Sequence, residues 1–164
     1  MRRQPILALG LMAGLLFMAT ASQALLPDFT KEELIQRSEA IILGTVQDMS
    51  SSWAADHAQI YTYMVFRVEA QFKGRPAGQE MTIQIPGGTA DGITQWVSDV
   101  PHLEPGMRVI LHIFTQDTGY PWIYGWEKGV LRVENDALPD YNMTVAQFRR
   151  LVEKVEDRKG AENE

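Results

Sequence analysis

The chain has 164 residues, a formal net charge of −6 and no cysteine. The excess of acidic side chains argues against nucleic acid or an anionic lipid surface as a partner, because both carry negative charge. The lack of cysteine excludes a disulfide framework.

The first 24 residues predict a secretory signal peptide. Arg2 and Arg3 form a basic start, an apolar run occupies 6–18, and the small residues Ser22 and Ala24 sit at the −3 and −1 positions of a cleavage site after Ala24. The apolar run is too short to span a bilayer comfortably. We therefore expect an exported protein with no membrane insertion after cleavage. Because it has no cysteine, a bacterial envelope protein, periplasmic or secreted, fits better than a disulfide-rich animal ectodomain.

The predicted mature part, 25–164, has the size of a single domain. Its net charge is −8, because the two arginines leave with the signal peptide. A chain of this length buries about two-thirds of its unfolded surface, so its core is sufficient without disulfides.

A helix is predicted at each end of the mature domain. Thr30 and Glu33 form a capping box for a short N-terminal helix. Thr144 and Gln147 have the same spacing and begin a C-terminal helix over about residues 144–159, which Gly160 is expected to end. The apolar stripe of this second helix comprises Val145, Phe148, Leu151, Val152 and Val155.

The clearest pattern of the chain lies in residues 59–74. Apolar residues such as Ile60, Met64 and Phe66 fall on one parity, and Tyr61 and Tyr63 fall on the other. This alternation predicts one long strand with a core face and a wetter face. A strand of this length is typical of a strongly bent sheet or a small barrel.

Shorter strands and turns complete the barrel region, about residues 38–135. Ser50–Ala58 is expected to be a loop, Pro86–Gly88 a turn with positive φ, and Ile93–Val97 a strand that pairs back onto Glu80–Ile85. The remaining predicted strands are Ala40–Asp48, Met107–Thr115, Trp122–Trp126 and Val130–Glu134.

The order of short motifs resembles known exported proteins. The motifs are S-x-x-I-I-x-G-x-V (Ser38–Val46), F-K-G (Phe72–Gly74), P-G-G (Pro86–Gly88), P-G-x-R-V-I-L (Pro105–Leu111) and G-W-x-x-G (Gly125–Gly129). This order is similar to a group of uncharacterised exported bacterial proteins. It is distantly similar to the tissue inhibitor of metalloproteinases and netrin-like modules.

The resemblance implies an oligonucleotide/oligosaccharide-binding (OB) type fold. The expected fold class is therefore mainly β, a five-stranded and partly open OB-like barrel with a short N-terminal helix and a C-terminal amphipathic helix. The inhibitors chelate a protease zinc through an N-terminal cysteine, whereas the predicted mature chain begins at Leu25. Inhibition of a protease is thus only a fold-level analogy.

No recognised catalytic or metal-binding constellation occurs in the sequence. His57, His102 and His112 do not have the ligand spacing of a zinc site, so no metal or other cofactor is expected. Ser98 and Asp99 lie near His102 without a nucleophile motif, and the acidic residues of that segment fit a solvated surface better than a carboxylate pair. We therefore expect a protein that is not an enzyme.

The aromatic residues are the remaining candidates for function. Trp53 and Trp96 lie near predicted loops, and Tyr61 and Tyr63 lie on the wetter face of the long strand. Tryptophan and tyrosine are common interface anchors. The preferred hypothesis is a module that binds a protein, with an exported protease as one candidate, through loops at the barrel rim. The alternative is a module that binds carbohydrate or an envelope polymer through an aromatic face.

Overall fold

A computed structural model describes residues 29–75, 78–116 and 119–162. The predicted signal peptide and its cleavage site lie outside these residues. No helix in the described part of the chain is long and apolar enough to cross a membrane.

Both predicted helix starts are confirmed. Helix α1 (Lys31–Arg37) begins after Thr30, whose side chain accepts from the backbone N–H of Glu33 at 3.1 Å while the Glu33 carboxylate accepts from the Thr30 N–H at 2.9 Å. Helix α2 (Val145–Glu162) begins with the equivalent exchange between Thr144 and Gln147. The apolar stripe of α2 buries Phe148, Val152 and Val155 against the sheet.

Mainly β structure connects the two helices. The strands are β1 (Ala40–Trp53), β2 (Ile60–Lys73), β3 (Glu80–Pro86), β4 (Gly88–Ala90), β5 (Ile93–Gln95), β6 (Arg108–Thr115), β7 (Pro121–Ile123), β8 (Val130–Arg132), β9 (Ala137–Leu138) and β10 (Met143–Thr144). Short 3₁₀ turns occupy Trp126–Gly129 and Pro139–Tyr141.

The main sheet has the strand order β3-β2-β1-β6-β7, and all its pairs are antiparallel. Strand β8 also pairs with β6, so β7 and β8 share the outer edge of β6. The remaining strands in the described residues form two separate two-stranded sheets, β4–β5 and β9–β10.

The main sheet packs on both of its faces. One face encloses a core that includes Ile42, Met64, Phe66, Ile83 and Val109, drawn from four of its strands. The other face carries a second core beneath α1 and α2. Strands β3 and β7 approach each other from opposite edges, but no backbone pairing joins them within the described residues, so the sheet remains open there.

The long strand is confirmed as β2, but the residues of its apolar parity are divided between the two cores. Met64 and Phe66 are fully buried in the first core, whereas Phe72, on the same parity, packs against the second core and lies 6.3 Å from the Phe148 ring. The pairing of β1 with β2 shifts register at three places. Such shifts increase the local twist of the strands. Side chains on the same parity can therefore face the first core in one part of β2 and the second core in another.

Two predictions about strands were wrong. Strand β1 continues to Trp53, because Ser50, Ser51 and Ser52 pair with β2 rather than forming a loop. The segment beginning at Ile93 pairs with Gly88–Ala90 and not with Glu80–Ile85, which pairs with β2.

Two predicted boundaries were also displaced. Trp126 belongs to a 3₁₀ turn rather than to the strand that ends at Ile123. Helix α2 passes through Gly160 to Glu162, because a glycine near a helix end costs only about 1 kcal/mol and does not by itself stop the helix.

Candidate functional site

The four predicted aromatic site residues divide between two surfaces. Trp53 and Trp96 belong to a rim that we define as the last residue of β1 with the β1–β2 turn (53–59), the β4–β5 hairpin (88–95) and the following loop (96–102). Tyr61 and Tyr63 belong to an aromatic strip on the outer face of β2.

The β4–β5 hairpin is held firmly against the start of β2. The backbone N–H of Ile60 donates to the Gln95 side-chain oxygen at 2.6 Å, and the Gly87 N–H donates to the Ile60 carbonyl at 2.8 Å. The Thr62 hydroxyl donates to the Gly87 carbonyl at 2.8 Å. These bonds join the hairpin to the sheet on both sides of its chain reversal.

Two glycines let the chain approach this anchor closely. Gly87 and Gly88 have φ of 88° and 133°, which confirms the predicted turn with positive φ. A Cβ on Gly88 would overlap the hydroxyl oxygens of Ser51 and Thr62, which lie 2.9 Å from each other. Only glycine combines this backbone conformation with this proximity.

The anchored hairpin and the residue directly after it present apolar side chains to solvent. Trp96 is 84% exposed and Ile93 is 54% exposed. Beside Trp96 lies an open groove of about 390 Å³ whose walls include Ile85, Pro86 and Val100. Large side chains exposed this far on a fixed element are typical of a contact surface rather than of a core.

Trp53 lies on the same rim but is less accessible. It closes the end of β1 opposite Ile60 and is half-buried, with its ring centroid 6.0 Å from that of His57 in the β1–β2 turn. Trp53 therefore supports the turn next to the hairpin, and Trp96 is the more exposed of the two predicted rim residues.

The aromatic strip crosses the gap between β3 and β7. The Tyr61 ring lies 6.0 Å from Trp122, and the Tyr63 ring lies 5.4 Å from Tyr120. Gln84, only 5% exposed, lies beneath these rings; its side-chain oxygen accepts from the Trp122 indole N–H at 2.8 Å. Ring contacts at 5.7–6.4 Å extend the strip from Trp122 through Phe114 and Tyr124 to Phe29.

Sequence reasoning missed three residues of these surfaces. Ile93 follows Asp91-Gly92, a dipeptide that signals a tight hairpin turn and could have placed it at a hairpin tip. Tyr120 and Trp122 join Tyr61 and Tyr63 only because the two sheet edges approach each other. No local pattern in the sequence indicates that contact.

The three histidines have different environments. His57 and His102 are exposed, and the His102 Nε2 lies 3.0 Å from a Glu104 carboxylate oxygen. His112 is fully buried between β6 and α2, with Nδ1 3.1 Å from the Gly129 carbonyl. Among the described residues, no group of three or more His, Asp or Glu side chains is arranged to hold a metal ion.

A cavity of about 830 Å³ lies beside α1, and its lining includes Phe29 at the end of the aromatic strip and Pro101 and His102 at the end of the rim. It is lined by charges of both signs, including Lys31, Arg132, Glu127 and Asp140, around an apolar floor. The Lys31 ammonium lies 4.4 Å from the centroid of the Tyr141 ring. A wall of mixed charge selects no single class of ligand.

Comparison with models of known protein families finds no match, and comparison with curated proteins finds no significant one.

Proposed function

We propose that this chain is an exported, non-enzymatic binding module that engages a protein partner through its rim. The observation that supports this most directly is the exposure of Ile93 on the anchored β4–β5 hairpin and of Trp96 directly after it, next to Gln95, whose side chain anchors the hairpin. Burying these two side chains against a partner would remove a large apolar area from water. Tryptophan is among the residues that most often dominate the energy of an interface.

The anchoring of the hairpin supports the same function. A loop that must be ordered on binding loses conformational entropy, and this lowers affinity. Here the Gln95 and Thr62 side chains already bind the backbone of their neighbours, so the hairpin is held before any partner arrives. The polar anchor therefore serves to keep Trp96 and Ile93 in position.

The fold relationship that we propose is the OB-like barrel and, more distantly, the netrin-like module. It is supported by the consecutive antiparallel strands β1, β2 and β3, by β6 on the far side of β1, and by the approach of β3 to β7. An exported protease is one candidate partner, suggested by that resemblance alone.

Capture of a partner from envelope extract tests the proposal. The mature wild-type protein, Trp96→Ala and Tyr120→Ala serve as baits, because Tyr120 is also exposed, at 42%, but belongs to the aromatic strip. We expect a defined protein to be retained by wild type and Tyr120→Ala and lost with Trp96→Ala. Equal retention by all three baits would refute a rim-mediated interaction.

The aromatic strip favours a second candidate, binding of carbohydrate or an envelope polymer. Its rings meet edge to face at 65° and 67° beside a buried, hydrogen-bonded Gln84, and the rings that remain exposed offer apolar surface on which a sugar ring could pack. Retention on insoluble cell-wall polymer would then depend on Tyr120 and not on Trp96. The same two variants thus separate the two candidates.

Export is a further part of the proposal. N-terminal sequencing of protein recovered from the envelope should begin at Leu25, after the predicted signal peptide. A start at Met1 would refute processing.

A further inference from the structure

We propose that the partner of the rim is a cationic protein segment, one that carries lysine or arginine next to an apolar side chain. This inference rests on the proposed function, and it adds the chemistry of the partner. It follows from the charges that surround Trp96 and Ile93.

Carboxylates surround the apolar part of the rim. Asp91 lies in the turn of the β4–β5 hairpin, two residues before Ile93, and Asp99 lines the groove together with Trp96. Asp56 lies in the neighbouring β1–β2 turn. All three aspartates are exposed. An apolar centre with a charged periphery is the usual arrangement of a protein interface.

No lysine or arginine lies in the chain segments that carry these carboxylates. Neither 46–66 nor 78–107 contains a lysine or an arginine. The described lining of the groove likewise contains no lysine or arginine. Apart from Asp99, the one ionisable side chain in that lining is His102. The formal charge of the rim segments themselves is therefore negative, although the whole chain has 15 basic residues. Lys128 comes from another element: it follows Glu127, whose backbone N–H donates to the Asp99 carbonyl at 3.1 Å.

The contrast with carboxylates elsewhere in the fold is informative. Glu69 lies 2.7 Å from the Arg108 guanidinium, and Glu156 lies 2.8 Å from the Lys73 ammonium. In the described part of the chain, Asp91 and Asp99 form no ion pair with lysine or arginine. Their charge is thus available to a partner.

Complementary charge determines which partner this surface accepts. A basic segment is attracted by the rim carboxylates as it approaches, and an acidic segment is repelled. The exposed Trp96 ring adds a second preference, because lysine and arginine cations interact favourably with the face of an indole. An apolar neighbour in the same segment would fill the groove beside Trp96.

Two short labelled peptides test this inference. They share the same apolar residues and differ only in carrying lysines in one peptide and glutamates at the same positions in the other. Binding to the folded mature protein is measured by fluorescence anisotropy at low and at high salt. The variants are Trp96→Ala, the double variant Asp91→Asn/Asp99→Asn, and Asp157→Asn as a control on the exposed surface of α2.

The rim variants are chosen to leave the fold intact. Asp91 and Asp99 have φ of 51° and 62°, a left-handed conformation that asparagine also tolerates. Each substitution therefore removes charge without a new backbone strain. Asp157→Asn removes the same charge from a distant position.

We expect the lysine peptide to bind and the glutamate peptide not to bind. Trp96→Ala should abolish binding of the lysine peptide, and the double variant should weaken it roughly threefold to tenfold, since exposed charge pairs are individually weak. High salt should weaken it as well, and Asp157→Asn should leave it unchanged.

Three results would overturn the inference. The first is equal or tighter binding of the glutamate peptide through Trp96, which would leave the rim as a binding surface and reject only the charge of its partner. The second is binding of the lysine peptide that does not depend on Trp96 or the rim aspartates. The third is no binding of either peptide. Loss of the protein partner in the Trp96→Ala bait would still support the rim in the last two cases, so the two proposals fail separately.

Discussion

His112 should make the fold sensitive to acid. Its imidazole is fully buried, its ring centroid lies 6.0 Å from that of Phe148 on α2, and its Nδ1 is within hydrogen-bonding distance of the Gly129 carbonyl. Burial lowers the pKa of His112 from 6.5 to about 4. The bond to Gly129 raises the pKa in part, and the positive charge of Lys73 lowers it further.

The direction and size of the effect follow from this difference in pKa. As the pH falls, the unfolded chain binds a proton on His112 near its ordinary pKa, whereas the folded protein does not until about pH 4. The contribution of neutral His112 is therefore complete above about pH 6.5 and is lost as the pH falls toward 4. One pKa unit corresponds to about 1.4 kcal/mol, so the free energy of unfolding should drop by about 2 kcal/mol at pH 5 and about 3 kcal/mol at pH 4.

Denaturant unfolding across this pH range measures the loss. The matched variant is His112→Asn, in which an amide nitrogen can still donate to the Gly129 carbonyl and no proton is taken up. The variant will be less stable at neutral pH, because a smaller side chain leaves a cavity. Its free energy of unfolding should nevertheless change by less than wild type between about pH 7 and pH 5.

Parallel pH profiles for wild type and His112→Asn would refute this reasoning. They would mean that another group is responsible for the acid sensitivity. Loss that begins only below about pH 4.5 would point to carboxylates, such as Glu69, whose pKa is lowered overall. In Glu69, partial burial raises the pKa, but hydrogen bonds from Thr45 and Arg108 outweigh it.

Three further perturbations test the core, the rim and the attachment of the helices. Phe66→Ala should lower the free energy of unfolding by about 3–5 kcal/mol, because it leaves a cavity in the core. Trp96→Ala should cost well under 1 kcal/mol, because the Trp96 side chain is exposed; equal losses in thermal melts would place Trp96 in the core. Gly88→Ala should destabilise the protein by about 2 kcal/mol or more, because the new Cβ would overlap the hydroxyl groups of Ser51 and Thr62. Gly92→Ala is the control: Gly92 has φ of 78° with nothing within 4 Å, so this change should cost about 1 kcal/mol. Similar losses for both variants in denaturant unfolding would argue against the close contact at Gly88. Lys73→Met should cost about 1–3 kcal/mol, because the ammonium group binds the last carbonyls of α1 and a carboxylate of α2; unchanged stability in the same assay would rule out that role.

Local patterns determined much of the fold. The capping pairs Thr30–Glu33 and Thr144–Gln147 could be predicted because a cap involves residues only three positions apart. The long strand β2 was predicted from its period-2 alternation, and β6 from apolar residues on both parities, since a central strand is buried on both faces. The exposed position of Trp96 also agreed with its place in an irregular segment.

Features that depend on the pairing of distant segments could not be predicted in the same way. The serines at the end of β1 have no strand pattern, and they are extended because β2 supplies hydrogen-bonding partners over its whole length. Ile93–Gln95 pairs with Gly88–Ala90, the segment directly before the hairpin turn, rather than with β3. In both cases the partner strand decides the conformation, because isolated strands gain little from their own residues.

The candidate site residues could likewise be predicted only in part, because their grouping depends on contacts between distant segments. The sequence predicted that Trp53, Trp96, Tyr61 and Tyr63 are accessible aromatics, and alternation along β2 placed both tyrosines on its wetter face. Only the tertiary structure decided that Tyr61 and Tyr63 join Trp122 and Tyr120, while Trp96 stands apart on the rim. Side-chain direction along one strand is a local property, whereas contact across the gap between β3 and β7 requires the curvature of the whole sheet.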